Sequence, residues 1–129
     1  MLREGDLEPY GCRSKRYITS EIGENEVYDK LKNKDKKMVL FDVRSREAYK
    51  TKHIKGALSI PLEKIENNLK KLDKNKEIVL YCDSMNCGLD RMGETILKNA
   101  EYENVRIMNN GIAGWEAKGY PVIRGRARR

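Results

Sequence analysis

Apolar and polar positions along this 129-residue chain fall into two alternating kinds of segment. Short, continuous apolar runs alternate with stretches whose apolar residues recur at helical spacing. Met38-Val39-Leu40-Phe41-Asp42-Val43 has the pattern of a strand buried on both faces. Ala57-Leu58-Ser59-Ile60 predicts a second strand, Ile78-Val79-Leu80-Tyr81 a third and Val105-Arg106-Ile107-Met108 a fourth. Val27, Tyr28 and Leu31 predict a helix over 25–31, and residues 45–50 a shorter one. Pro61 opens a helix with Leu62, Ile65, Leu69 and Leu72 on one face. Leu89, Met92, Ile96 and Leu97 form the apolar stripe of the next helix. Residues 111–118 make a last short helix, closed by Gly119-Tyr120-Pro121. Strands alternating with helices predict a parallel sheet covered on both faces, an α/β fold. In such sheets ligands bind outside the carboxyl ends of the strands.

Length and composition fit a single domain with one modest core: the hydrophobic content is 39% and the charged content 36%. Residues 1–17 contain Gly5, Pro9 and Gly11 and lack periodicity, so they read as an N-terminal arm. The domain is expected over residues 18–123, and residues 124–129 as a basic C-terminal tail. No apolar run reaches membrane-spanning length, and the acid-bearing first residues have no apolar h-region, so a cytoplasmic protein is expected. The net charge is +7. Acids and lysines are interleaved, as in Lys70-Lys71-Leu72-Asp73-Lys74, which points to a solvated surface and against nucleic-acid binding. The arginines of the tail fit a flexible solvated end, or a contact with an acidic carrier protein or RNA.

Candidate chemistry centres on Cys82, directly after the third predicted strand and before the polar stretch Asp83-Ser84-Met85-Asn86-Cys87-Gly88 and a helix. A cysteine at a strand end facing a helix N-terminus is placed for thiolate chemistry, because backbone N–H groups and the positive helix end favour the anion. The competing reading is a buried structural cysteine. Three cysteines do not make a disulfide scaffold. A metal site from Cys12, Cys82, Cys87 and His53 has suitable residue types but unsuitable spacing, so no metal is expected and no cofactor is called for. The role of Cys12 stays open.

Three segments in order resemble the rhodanese family of sulfurtransferases. They are Asp42-Val43-Arg44 followed by Glu47-Ala48-Tyr49; Tyr49-x-x-x-His53-Ile54-x-Gly56-Ala57-x-x-Ile60-Pro61; and Asn110-Gly111-Ile112-x-Gly114-Trp115-x-x-x-Gly119-Tyr120-Pro121-Val122. Cys82 falls where that family places its catalytic cysteine, and the resemblance covers roughly residues 36–123. It implies a rhodanese-like α/β fold with a central, mostly parallel five-stranded sheet and helices on both faces. It also implies that Cys82 accepts a sulfane sulfur and becomes a persulfide, with a sulfane-sulfur donor and a thiol acceptor, an acidic sulfur-carrier protein among them, as partners. The oligomeric state is not read from the sequence.

In that setting the backbone amides of Asp83, Ser84, Met85, Asn86, Cys87 and Gly88 are the expected substrate cradle. Asp42, Arg44 and His53 are expected to be structural groups near the site. Arg44 has three options: Asp42, Glu47 or the site itself. His53 reads as a hydrogen-bonding or capping group, and Trp115 as core. Asp83 is expected to face solvent, since an inward carboxylate would oppose the anion. The loop departs from many family members in having no Lys or Arg between Cys82 and Cys87, which argues against thiosulfate as the preferred donor. Asn110 stands where two consecutive glycines are usual in the family; Asn tolerates a left-handed conformation, so the turn is expected to survive. The Cys-x4-Cys arrangement looks like a subset of small prokaryotic rhodanese-like proteins. Cys87 is a candidate resolving thiol, able to attack an oxidised or persulfidated Cys82 and leave a disulfide, or else a small hydrophobe packed under the helix. A thiol-redox or persulfide-carrier protein using the Cys82/Cys87 pair is therefore the alternative to an enzyme of sulfur transfer. A phosphatase or arsenate reductase is disfavoured: the arginine position of a Cys-x5-Arg loop is held by Gly88, and Arg91 lies three residues too late.

Overall fold

The computed structural model describes residues 21–125 without Asp73 and Met85, and of Lys70 and Lys71 it describes the backbone only. Residues 1–17 and Cys12, residues 18–20, and residues 126–129 lie outside the described residues.

The element order is α1 (Glu24–Lys32), β1 (Met38–Asp42), α2 (Arg46–Thr51), β2 (Lys52–Ile54), β3 (Leu58–Ser59), two 3-10 segments (Leu62–Lys64 and Glu66–Lys71), β4 (Glu77–Tyr81), α3 (Leu89–Asn99), β5 (Val105–Ile107), α4 (Gly111–Ala117) and β6 (Val122–Arg124). The main sheet is parallel, in the order β3-β1-β4-β5. An isolated parallel bridge between Glu21 and Ile107 lies at its β5 edge. The expected five-stranded sheet is thus four strands and a single bridge among the described residues. A second, antiparallel sheet joins β2 to β6, pairing His53 with Ile123. It was not predicted, because three-residue strands with Lys52, His53 and Arg124 carry no apolar signature.

β4 lies between β1 and β5 and is buried throughout, which is why its sequence is a continuous apolar run. Its side chains alternate between two cores. Val79 and Tyr81 join Val27, Leu40, Ile112 and Trp115 under α1 and α4. Ile78, Leu80 and then Cys82 join Phe41, Ile65 and Leu97 under α3 and the 3-10 segments. Cys82 therefore continues the alternation of β4 onto the α3 side. β4 begins at buried Glu77, which accepts from Lys30 and, at 3.0 Å, from Arg106. Burial raises its pKa, but the hydrogen bonds and charges of these two cations outweigh that and hold it below the usual carboxylate range.

The expected helix after Pro61 is instead two 3-10 segments. Leu62, Ile65, Leu69 and Leu72 still face the core. The Tyr102 hydroxyl donates to the Leu69 carbonyl, and lies 3.2 Å from that of Leu72, so the end of this stretch is tied to a side chain. Arg124, assigned to the tail from sequence, lies in β6 and pairs with Glu116 at 2.8 Å. Among the described residues no helix is long and apolar enough to cross a membrane.

The cysteine loop as a candidate active site

In-register pairing of β1 with β4 aligns their carboxyl ends, placing Asp42 opposite Tyr81 with Cys82 one residue beyond. From there the chain makes a tight excursion and returns at Gly88, whose left-handed φ of 85° turns it into α3. The Cys87 amide donates to the Ser84 carbonyl at 3.1 Å, closing the turn. Cys82 and Cys87 are joined as a disulfide across a Cα–Cα distance of 6.2 Å, within the ordinary range of about 4.4–6.8 Å. Cys82 is fully buried, while Cys87 is only partly so. Cys87 is bonded to Cys82 and is at the same time packed, partly buried, against the core beneath α3.

Two tethers hold the root of the loop. The first comes from α4, whose opening amides cap it: Ile112 N–H donates to the Cys82 carbonyl at 2.9 Å and Ala113 N–H to the Asp83 carbonyl at 3.0 Å. That approach requires Gly111. Its φ is 62°, and a Cβ there would lie 2.5 Å from the Cys82 oxygen and 2.6 Å from the Asp83 carbonyl carbon. The left-handed residue of this turn is thus Gly111; Asn110 has a right-handed φ of −82° and instead donates through its side-chain amide to Glu24 at 3.1 Å. This correction makes Gly111→Ala a specific test. Both the positive φ and the backbone clash act against it, so a destabilisation of about 1–3 kcal/mol is expected. It should come with altered amide chemical shifts concentrated at residues 82–84. A variant with wild-type stability and an unshifted loop would contradict this packing.

The second tether is electrostatic. Asp42 is fully buried and accepts from the Arg44 amide at 2.9 Å, from the Arg44 guanidinium at 2.8–3.2 Å, and from the Tyr81 hydroxyl at 2.6 Å. Arg44, 6% exposed, also donates to the Lys52 carbonyl and, through Nη1, to Asp83 at 3.0 Å. Burial disfavours the Arg44 cation, but Asp42, and then Asp83, more than offset this, raising its pKa above the already high ordinary value. Burial, then the Asp42 charge and hydrogen bond, push the Tyr81 phenol strongly upward, so it stays a donor. Of the three options for Arg44, the structure shows pairing with Asp42 and the loop residue Asp83. The Asp83 side chain is 66% exposed and still spends one oxygen on that guanidinium.

His53 lies on β2 with Nδ1 2.8 Å from the Tyr49 carbonyl, so that nitrogen carries the proton; its ring stacks on Tyr49 at 3.7 Å. Trp115 is fully buried, and its indole N–H donates to the Pro121 carbonyl at 2.8 Å. Arg91 reaches Asn109 at 3.0 Å, with Glu21 3.9 Å away. Among the described residues no group of three or more His, Cys, Asp or Glu side chains is placed to hold a metal ion. Nor do the Asp83 and Ser84 amides have an intramolecular acceptor among the described residues, whereas the Asn86 amide lies 3.4 Å from Ser84 Oγ. Met85 lies outside the described residues. Sequence reasoning passed over Asp90, buried in the first turn of α3, whose pKa is raised by burial and whose Oδ1 accepts from the Arg91 amide. An acid between Leu89 and Met92 was its only sequence signal.

The rhodanese-like domain profile matches residues 24–118. The chain is 33% identical over 88 residues to the HTH-type transcriptional regulator Rv0324 of Mycobacterium tuberculosis, spanning 68% of this chain and 38% of that protein. It is 32% identical over 62 residues to the thiosulfate sulfurtransferase GlpE of Coxiella burnetii, spanning 48% of this chain and 56% of that one. Both matches span less than two thirds of those relatives. In solved structures, BH2092 of Bacillus halodurans superposes with a TM-score of 0.80 at 28% identity, covering 92% of this chain and 86% of that one. The thiosulfate sulfurtransferase of Pseudomonas aeruginosa superposes with a TM-score of 0.73 at 26% identity, covering 90% of this chain and 22% of that one.

Proposed function

The chain belongs to the rhodanese-like domain family, and from that premise we propose that it is a sulfurtransferase carrying a sulfane sulfur on Cys82. The observation that carries the reading is the position of Cys82: at the carboxyl end of the buried β4, with Asp83 and Ser84 amides beyond it that have no acceptor among the described residues, and the N-terminus of α3 closing the loop. The reduced thiolate attacks the terminal sulfur of a donor. With a thiosulfonate anion, the donor S–S bond breaks and sulfinate leaves with the electron pair, giving a Cys82 persulfide. A cyanide or thiolate acceptor then takes the outer sulfur and Cys82 departs as thiolate. Among the described residues the Asp83, Ser84 and Gly88 amides have no intramolecular acceptor and are the candidates to hold the terminal sulfur; the Cys87 amide is already spent on Ser84.

This chemistry requires the Cys82–Cys87 disulfide to be reduced first, which fits a reducing compartment such as the cytoplasm. The test is thiocyanate formation by reduced protein from a thiosulfonate and cyanide. Turnover no faster than with heat-denatured protein would sink the proposal.

Donor preference follows from charge. Arg44 touches the loop, but its guanidinium is engaged by Asp42 and Asp83. No Lys or Arg lies between Cys82 and Cys87. Thiosulfate, a dianion, should therefore show a higher KM than a thiosulfonate monoanion. Arg introduced at Met85 should lower the thiosulfate KM by about threefold, the scale of an exposed ion pair. A low thiosulfate KM that does not respond to salt would count against this argument.

A further inference from the structure

The Cys82–Cys87 disulfide supplies a route that sulfur transfer to an external acceptor does not use. Resting on the reading that Cys82 carries a sulfane sulfur, we propose that Cys87 discharges that persulfide within the loop, making the protein a source of hydrosulfide driven by a dithiol reductant.

The geometry supplies both reaction partners. The Cys87–Ser84 turn brings the Cys87 sulfur to bonding distance of Cys82 Sγ. The Cys82 side of the loop is fixed by the α4 amides, so the attacked sulfur stays in place while Cys87 arrives. In the step itself, the Cys87 thiolate attacks Cys82 Sγ, the inner sulfur of the persulfide. A bond forms between the two cysteine sulfurs and the bond from Cys82 Sγ to the outer sulfur breaks. The outer sulfur leaves with the electron pair as hydrosulfide, keeping or taking up one proton. The sulfane sulfur is reduced and the cysteine pair oxidised by the same two electrons.

The product is the disulfide seen in the structure. Regeneration requires two thiol equivalents, which a dithiol, as a small molecule or on a protein, supplies together. The full burial of Cys82 and the partial exposure of Cys87 direct its first attack to the Cys87 sulfur. Cys82 then leaves as thiolate at the end of β4, and the second thiol of the reductant resolves the mixed disulfide. The net reaction converts sulfane sulfur and a dithiol to hydrosulfide and a disulfide.

The experiment is a single-turnover measurement without oxygen, on protein reduced and then freed of reductant. All proteins carry Cys12→Ser, so that Cys12 supplies no electrons. A thiosulfonate anion is the donor, because sulfinate release reports loading of Cys82 independently of sulfide release. With Cys87 intact, sulfinate and sulfide should appear in about equal amounts, leaving the Cys82–Cys87 disulfide. Cys87→Ser and Cys87→Ala should release sulfinate, release no sulfide, and keep the added sulfur on Cys82. If protein with Cys87 intact releases sulfinate but keeps its persulfide, intramolecular discharge is wrong while sulfur carriage on Cys82 stands. Sulfide release undiminished in both Cys87 variants also overturns it. No sulfinate from any of the proteins would bring down both readings together.

Discussion

Cys82→Ser is expected to reduce sulfur transfer on the order of a thousandfold or more, whatever the donor. A serine hydroxyl is not ionised at neutral pH and cannot form a persulfide, so the covalent intermediate is lost rather than weakened. Cys82 also contributes to the core beneath α3 and to the disulfide. A loss of activity alone would therefore be ambiguous. Cys87→Ser separates the effects: it lacks the same disulfide and should still form thiocyanate from cyanide. Equal loss in both variants would mean that the disulfide, not the Cys82 thiolate, is what activity needs. Wild-type turnover in Cys82→Ser with every donor would refute the mechanism.

The second large effect is on stability. Arg44→Ala should destabilise the fold by about 3–5 kcal/mol, because it leaves the Asp42 carboxylate buried with its principal cation gone. Much of the total stability of a domain this size, about 5–15 kcal/mol, is at stake. The contact with exposed Asp83 adds little to that sum, but it links the network to the cysteine loop. Urea unfolding measures the loss. Removing the buried charge as well, in the Asp42→Asn/Arg44→Ala double variant, should recover part of it, since an uncharged amide is less costly to bury than an unpaired carboxylate. A single variant within about 1 kcal/mol of wild type would show that Asp42 finds other partners, and the tether assigned to Arg44 would fall.

The parts of this architecture that were legible in the sequence depend on burial. β1, β4 and the position of Cys82 follow from apolar runs, since a strand covered on both faces must be apolar throughout. What was not legible depends on where the chain comes close to itself. The β2–β6 pairing consists of three-residue strands with charged members, and its register is set by tertiary contact. Arg44 had three options because its partner is chosen by the strand ends that meet around it, Asp42 in β1 and Asp83 after β4. Asn110 was given the left-handed turn that Gly111 takes, because the reason for a glycine there is the carbonyl of Cys82, distant in sequence. Whether Cys87 meets Cys82 depended on a turn closed by one backbone hydrogen bond, from Cys87 to Ser84, which residue types alone do not specify.

The most direct test of the central claim is where a sulfane sulfur ends up. Cys87→Ser protein, reduced and exposed to a thiosulfonate, is alkylated, digested and analysed by mass spectrometry. The peptide containing Cys82 should gain one sulfur atom, lose it on addition of cyanide, and gain none when Cys82 is also replaced by serine. Sulfur recovered on the Cys12 peptide instead, or on no peptide at all, would contradict the account.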